Sequence, residues 1–192
     1  MIQLPPIPSW EGLHPLIVHF PIVLLLVAPL LVVVGAVLKP EKGRQVLYVA
    51  LALMIAGTLS TFLAASTGEA AGKLAERTPQ IDPVLERHEE LADATRAVFS
   101  GLTVIFAAIM FAPMALQKLS GRLVSTVLPL VFLLFYGVGV LLLTNTAHNG
   151  GRLVHEFGVR AMAAPSPVPA RAQEANRTGA TASDSQRTGD RD

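Results

Sequence analysis

Cysteine is absent from all 192 residues of the chain. A chain without thiols can form no disulfide, build no cysteine-ligated iron–sulfur cluster, ligate no metal through a thiolate and attach no c-type haem covalently. Any metal or haem would therefore have to be held by other side chains, and the five histidines are the first candidates.

Charged side chains are also scarce. They make up 15% of the chain, whereas hydrophobic residues make up 52% and the mean hydropathy is +0.52. This is more apolar surface than one soluble core of this size can bury. Acidic and basic residues nearly cancel, and the formal net charge of +1 gives no indication of a nucleic-acid partner. The expected partner is a lipid bilayer.

Common enzyme signatures are missing as well. The sequence has no G-x-S-x-G elbow, no P-loop, no dinucleotide fingerprint and no H-E-x-x-H zinc motif, and the H-E-E-L-A stretch that begins at His88 lacks the second histidine. We therefore expect a binding protein rather than an enzyme.

Four long apolar runs, each free of charge in its middle, divide the chain. They cover about residues 15–38, 45–66, 94–116 and 123–146, and each reaches the roughly 20 residues that a helix needs to cross a hydrocarbon core. The connections at 39–44 and 117–122 are long enough only for tight turns. The sequence predicts an all-α fold, an integral membrane four-helix antiparallel bundle within residues 1–160.

The segment 161–192 differs in composition. It is rich in Pro, Ala, Ser, Thr and Gly, and it contains no aromatic residue. Such a segment cannot bury enough apolar surface to offset the entropy of ordering. It is predicted to be a disordered polar tail.

The charges flanking the runs predict the orientation. The two short connections carry five basic residues against Glu41 alone, whereas residues 68–93 carry seven acidic and three basic residues. Because basic loops stay in the cytoplasm, both termini are expected on the opposite side. For a bacterial inner (cytoplasmic) membrane, that side is the periplasm.

All five histidines fall at the ends of the runs on this outer side. They are His14, His19, His88, His148 and His155. Any one of them is explained equally well as a half-solvated interfacial residue. Five from three separate segments favour a common site.

His88 lies on a predicted helix that begins at Asp82 and Pro83, a good N-cap followed by a residue suited to the first helical turn. Steps of three and four residues place it on one apolar stripe, whose other members are Leu85, Ala92, Thr95, Phe99 and Leu102. A neutral imidazole inside a bundle needs partners for both nitrogens. A metal with a hydrogen-bond acceptor would satisfy them, and so would a neighbouring helix.

Three other local features concern backbone geometry. Pro21 lacks the N–H that would bond the carbonyl of Ile17, which predicts a kink near His19. A small-residue row, Ala64, Gly68 and Gly72, allows a backbone or a flat ligand to approach the second helix closely. The pair at 150–151, both glycine, is expected to end the fourth helix or bend the chain.

The strings HPLIVHFPIVLL near the start and GGRLVHEFGV after the fourth run, with a histidine ahead of the third, resemble the bacterial membrane family called domain of unknown function 2231. The resemblance covers roughly Leu13 to Arg160. It implies four helices and a haem b site or another metal site.

Two imidazoles on opposed helices are what axial ligation of haem b requires. We therefore expect His19 and His88 to bind one haem or metal, with His14, His148 and His155 as supporting residues or a second site. Electrons would pass at the outer face to a quinone, a periplasmic carrier or another membrane subunit. Another divalent metal, or a cofactor-free accessory subunit of a larger membrane complex, are the alternatives.

Overall fold

The computed structural model describes residues 7–115 and 123–160. A 3₁₀ turn, Glu11–Leu13, leads into α1, His14–Ile17, and α2, His19–Val37. Then follow α3, Pro40–Gly72, and α4, Asp82–Ala115. A π-helical turn, Leu123–Val127, precedes α5, Leu128–His155. The described residues contain no strand.

Four helices are long and apolar enough to cross a membrane, which confirms the predicted all-α membrane bundle. They are Glu11–Val37, Pro40–Gly72, Asp82–Phe111 and Ser125–His155. The predicted start of the third helix at Asp82 is also confirmed. The segments 116–122 and 161–192, which include one predicted cytoplasmic turn and the predicted tail, lie outside the described residues.

Two helix ends differ from the expectation. The turn after the first span is only Leu38 and Lys39, because α3 begins at Pro40, a residue suited to a first helical turn. The prediction that Gly150 and Gly151 end the fourth helix was wrong, since α5 continues through both to His155. Leu153 is buried in the small apolar cluster with Ile81, Val84 and Leu85. That packing offsets the cost of about 1 kcal/mol that each glycine imposes on a helix.

The first span is interrupted at the predicted place. Val18 separates α1 from α2, and Pro21 lies three residues further on. Proline has no N–H for the carbonyl of Ile17, so the regular ladder is broken there. Backbone bonds from Val18 to His14 and from Ile22 to Val18 bridge the interruption, at 3.1 and 3.3 Å.

The four long helices pack in cyclic order α2, α3, α4 and α5, with α5 closing on α2. Among the described residues, the backbones of α2 and α4 do not approach each other closely, and neither do those of α3 and α5, so these are the diagonal pairs. The core contains side chains from all four helices, with Leu25, Met54, Phe106 and Tyr136 almost fully buried. Ring contacts extend from Phe106 through Phe132 to Tyr136, with centroids 4.9 and 5.6 Å apart.

A proline in α2 explains the buried hydroxyl in this core. Pro29 lies inside the helix and has no N–H, so the carbonyl of Leu25, four residues earlier, lacks its helical donor. Tyr136 of α5 donates its hydroxyl to that carbonyl at 2.8 Å. A peptide group in an apolar interior must find such a partner. The donor missing at Pro29 of α2 therefore explains why the hydroxyl of Tyr136 of α5 is buried here.

A double-mutant cycle tests this pairing. Tyr136→Phe is expected to lower the free energy of unfolding by about 1–2 kcal/mol, because the Leu25 carbonyl loses its donor. In a Pro29→Ala background the helix supplies that donor, so the same substitution should cost less than half as much. Unfolding in mixed micelles measures both costs. Equal costs in the two backgrounds would show that Tyr136 does not compensate for Pro29.

Candidate metal or haem site

His14 is held by the C-terminal part of α3. It is the first residue of α1, and its half-buried ring places Nδ1 3.0 Å from the carbonyl oxygen of Ala64 and 3.2 Å from the hydroxyl of Thr67. Thr67 is fully buried and donates its own hydrogen to the carbonyls of Leu63 and Ala64. Its oxygen is therefore free to accept from the ring.

His88 is held in a similar way by α5. It lies in the second turn of α4, half-buried, with Nδ1 2.9 Å from the carbonyl oxygen of Thr146. The hydroxyl of Thr146 also pairs with that of Thr95 at 2.9 Å, and this ties α4 to α5 beside the ring. The predicted apolar stripe is confirmed, because Leu85, Thr95, Phe99 and Leu102 are buried.

These bonds decide the tautomer of each ring. A carbonyl oxygen can only accept, so Nδ1 of both His14 and His88 must carry the hydrogen. In a neutral ring the lone pair then belongs to Nε2. Within the described part of the chain, neither Nε2 makes a hydrogen bond. A metal-binding histidine commonly has this arrangement, with one nitrogen anchored to a carbonyl and the other available.

The two anchored rings lie at the same end of the bundle. His14 contacts α3 through Ala64 and Thr67, and His88 contacts α5 through Thr146. Gly72, at the end of α3, lies next to Glu89 of α4. The structure thus places His14 and His88 at one end of the bundle, each against a different helix.

The remaining predicted residues lie elsewhere. The side chains of His19, His148 and His155 are exposed. None of the three rings makes a hydrogen bond within residues 7–115 and 123–160. His14, expected from the sequence to have a supporting role, is anchored in the same way as His88, whereas the His19 side chain is exposed.

The donor chemistry limits the kind of centre. In the described ranges, no three His, Asp or Glu side chains converge as metal ligands, whereas structural zinc sites normally use four ligands. Two imidazoles with available Nε2 atoms are donors that would suit the iron of haem b, and they would suit a single copper or iron ion equally well. The residues present therefore fit a two-imidazole centre.

A polar cleft of about 250 Å³ lies between the end of α3 and the start of α4. It is lined by Glu69, Gly72, Lys73, Arg77 and Glu89, and Glu89 directly follows His88 in the sequence. Arg77 is 3.5 Å from Asp82, an exposed pair, while Lys73 has no ion pair in the described part of the chain. The two carboxylates of the lining balance its two cations.

The sequence did not indicate that the following residues hold the rings. Thr67, Thr95 and Thr146 form hydrogen bonds, and Gly68 and Gly150 leave room for the imidazoles. The small-residue row of α3 was a usable signal, since it predicted close approach of a backbone or a flat ligand. What lies against Gly68 is the ring of His14.

Comparison with protein families matches residues 11–163 to the family described as a predicted membrane protein, DUF2231. The chain belongs to this family. The match includes all five histidines and every described helix, and it agrees with the resemblance found in the sequence. Comparison with curated proteins and with solved structures gives no match. Membership of DUF2231 therefore supports a membrane protein. Any statement about its chemistry rests on the geometry of the site.

Proposed function

We propose that this DUF2231 protein binds haem b through Nε2 of His14 and His88 and takes part in electron transfer at the outer end of the bundle. The observation that carries the proposal is the pair of imidazoles at one end of the bundle, each anchored through Nδ1 on a carbonyl. A second candidate is a single metal ion on the same two nitrogens, because the donor pair is common to both.

Each part of the site has a role in this proposal. The carbonyls of Ala64 and Thr146 fix both rings and raise the basicity of Nε2, which strengthens ligation. The bound haem would supply one-electron chemistry.

The proposed electron path stays on one side of the membrane. No histidine occurs between Phe20 and Arg87, or between Glu89 and Ala147. The sequence therefore offers no second imidazole pair near the other end of the bundle. Partners such as a quinone, another membrane subunit or a periplasmic carrier would exchange electrons at the histidine end.

The direct test is spectroscopic. The full chain is produced in cells supplied with haem precursor and with iron, copper and zinc, then purified in mild detergent. A Soret band that shifts on reduction, with close to one haem per chain, is the expected result. Stoichiometric metal without haem would select the single-ion alternative. Protein with neither would overturn both and favour the accessory-subunit interpretation.

Orientation is a separate prediction, and it rests on the charge asymmetry of the loops. We propose that the histidine end faces the periplasm in a bacterial inner membrane. Alkaline phosphatase fused after Asp192 is expected to be active, and a cytoplasm-dependent fluorescent protein at the same position is expected to be dark. The opposite pair of signals would reverse the orientation and place the site on the cytoplasmic side.

A further inference from the structure

The ring of His14 lies against a glycine of the helix that holds it. A Cβ added to Gly68 would come within 2.9 Å of Cε1 and 3.2 Å of Nδ1 of this ring. Gly68 follows the accepting residue, Ala64, by four positions. One turn of α3 thus offers a carbonyl for Nδ1 and, next to it, a flat surface without a side chain.

The ring of His88 has the same surroundings on α5. A Cβ added to Gly150 would come within 3.0 Å of Cε1 and 3.4 Å of Nδ1. Gly150 again follows the accepting residue, Thr146, by four positions. The two carbonyl bonds differ by 0.1 Å, at 3.0 and 2.9 Å. Each ring contacts its helix in the same way, through the same nitrogen and the same ring carbon.

The helix order agrees with a relation between the two halves. In each half, a helix that carries a histidine near its outer end is followed by the helix that holds the ring. A two-fold rotation about the bundle axis exchanges α2 with α4 and α3 with α5. The rotation places the α2–α3 contact on the α4–α5 contact, and the α3–α4 contact on the α5–α2 contact. All four contacts are present.

We infer that the bundle consists of two structurally equivalent halves, residues 11–72 and 82–155, and that each half supplies one imidazole clamped by a carbonyl and a glycine four residues apart. Gly68 and Gly150 are the positioning residues of these two clamps. The ligation of a common centre rests on the proposed function, but the equivalence of the clamps does not.

The clamp has a clear physical purpose. An imidazole can turn about its side-chain bonds, so a hydrogen bond to Nδ1 alone leaves the ring plane free to rotate about that bond. A glycine restricts this rotation, because Cε1 and Nδ1 of the ring lie where a side chain would otherwise be. Any side chain at Gly68 or Gly150 would displace the ring and weaken the carbonyl bond. Two equivalent clamps present two equivalent Nε2 atoms on either side of the bundle axis.

The halves are not identical in sequence. Thr67 gives His14 a second acceptor, whereas Asn149, at the corresponding position in α5, donates its amide to the carbonyl of Asn145 instead. The common elements are thus the histidine, the carbonyl and the glycine.

Nitrogen NMR of ¹⁵N-histidine-labelled protein, without haem or metal, tests the clamps directly. In the unmodified full chain, His14 and His88 are both expected as the Nδ1–H tautomer, which needs no substitution to observe. The exposed His148, whose ring makes no hydrogen bond within residues 7–115 and 123–160, should instead exchange between its two neutral tautomers. Finding the Nε2–H tautomer in either clamped ring would overturn the inference, whatever the protein binds.

Two substitutions and a matched control extend the test. Gly68→Ala should shift the ring signals of His14 only, and Gly150→Ala those of His88 only. Gly151→Ala, where an added Cβ meets nothing within 4 Å, should shift neither. Alanine favours a helix over glycine, so a change at the first two positions cannot come from lost helix propensity.

Haem titration of the same variants gives the functional readout. Each clamp variant is expected to bind haem about 10–100-fold more weakly, the usual effect of losing support for a ligand, and by a similar factor in both. If only one variant differed from Gly151→Ala in both measurements, the halves would not be equivalent. If the unmodified chain bound no haem while the NMR results held, the proposed function would fail and the two clamps would stand.

Discussion

Replacing His14 or His88 by Ala is expected to abolish stoichiometric haem or metal binding. Each single variant should lose as much bound haem or metal as the double variant. A two-imidazole centre that has lost one imidazole keeps no second protein ligand, because no other His, Asp or Glu of the described ranges converges there. The affinity for haem or metal should therefore fall by more than the factor of about 10–100 that follows when only a supporting hydrogen bond is removed. Absorbance and metal analysis of purified protein measure it.

The same experiment separates the pairing seen in the structure from the pairing expected from the sequence. His19→Ala should retain binding, because the His19 side chain is exposed. His148→Ala and His155→Ala serve as further controls for the loss of an exposed histidine at this end of the bundle. Elution volume and helical circular dichroism of each variant show whether the bundle is intact. Loss of binding in His19→Ala, with His14→Ala unaffected, would contradict the site described above.

The fold could be predicted almost completely because lipid imposes one strong rule. A segment that crosses the bilayer must satisfy its own backbone bonds, so four apolar runs of sufficient length allow little besides four helices. The ends of the helices were less predictable. α3 and α5 continue beyond the hydrophobic runs to Gly72 and His155, where packing outside the apolar region decides the boundary.

The site could be predicted only in part, and His88 and His14 show why. The stripe containing His88 is long and regular, so its inward face follows from the 3.6-residue period. His14 and His19 are five residues apart, which at about 100° per residue places them on faces roughly 140° apart. Only one can face the bundle, and the sequence gives no stripe across Val18 to decide which. Their partners, a carbonyl and a glycine, belong to other helices.

The turn of the first hairpin leads to the second large prediction, because α2 and α3 approach each other there through the backbones of Gly35 and Gly43. A Cβ added to Gly43 would overlap the carbonyl oxygen of Gly35 and would also lie 3.4 Å from the carbonyl oxygen of Leu38. Both neighbours are backbone atoms, which cannot rotate away as a side chain can. The turn between the helices is too short to absorb the shift.

Gly43→Ala is therefore expected to destabilise the bundle by about 1–3 kcal/mol, the usual range for overpacking, even though alanine by itself favours a helix by about 1 kcal/mol. Gly101→Ala is the matched control, since an added Cβ there meets nothing within 4 Å and only the helix preference remains. Gly35→Ala should fall between them, because its Cβ meets mainly the Leu47 side chain, which can move. Unfolding in mixed micelles measures all three. If Gly43→Ala proved as stable as Gly101→Ala, α2 and α3 would not be in backbone contact at this point.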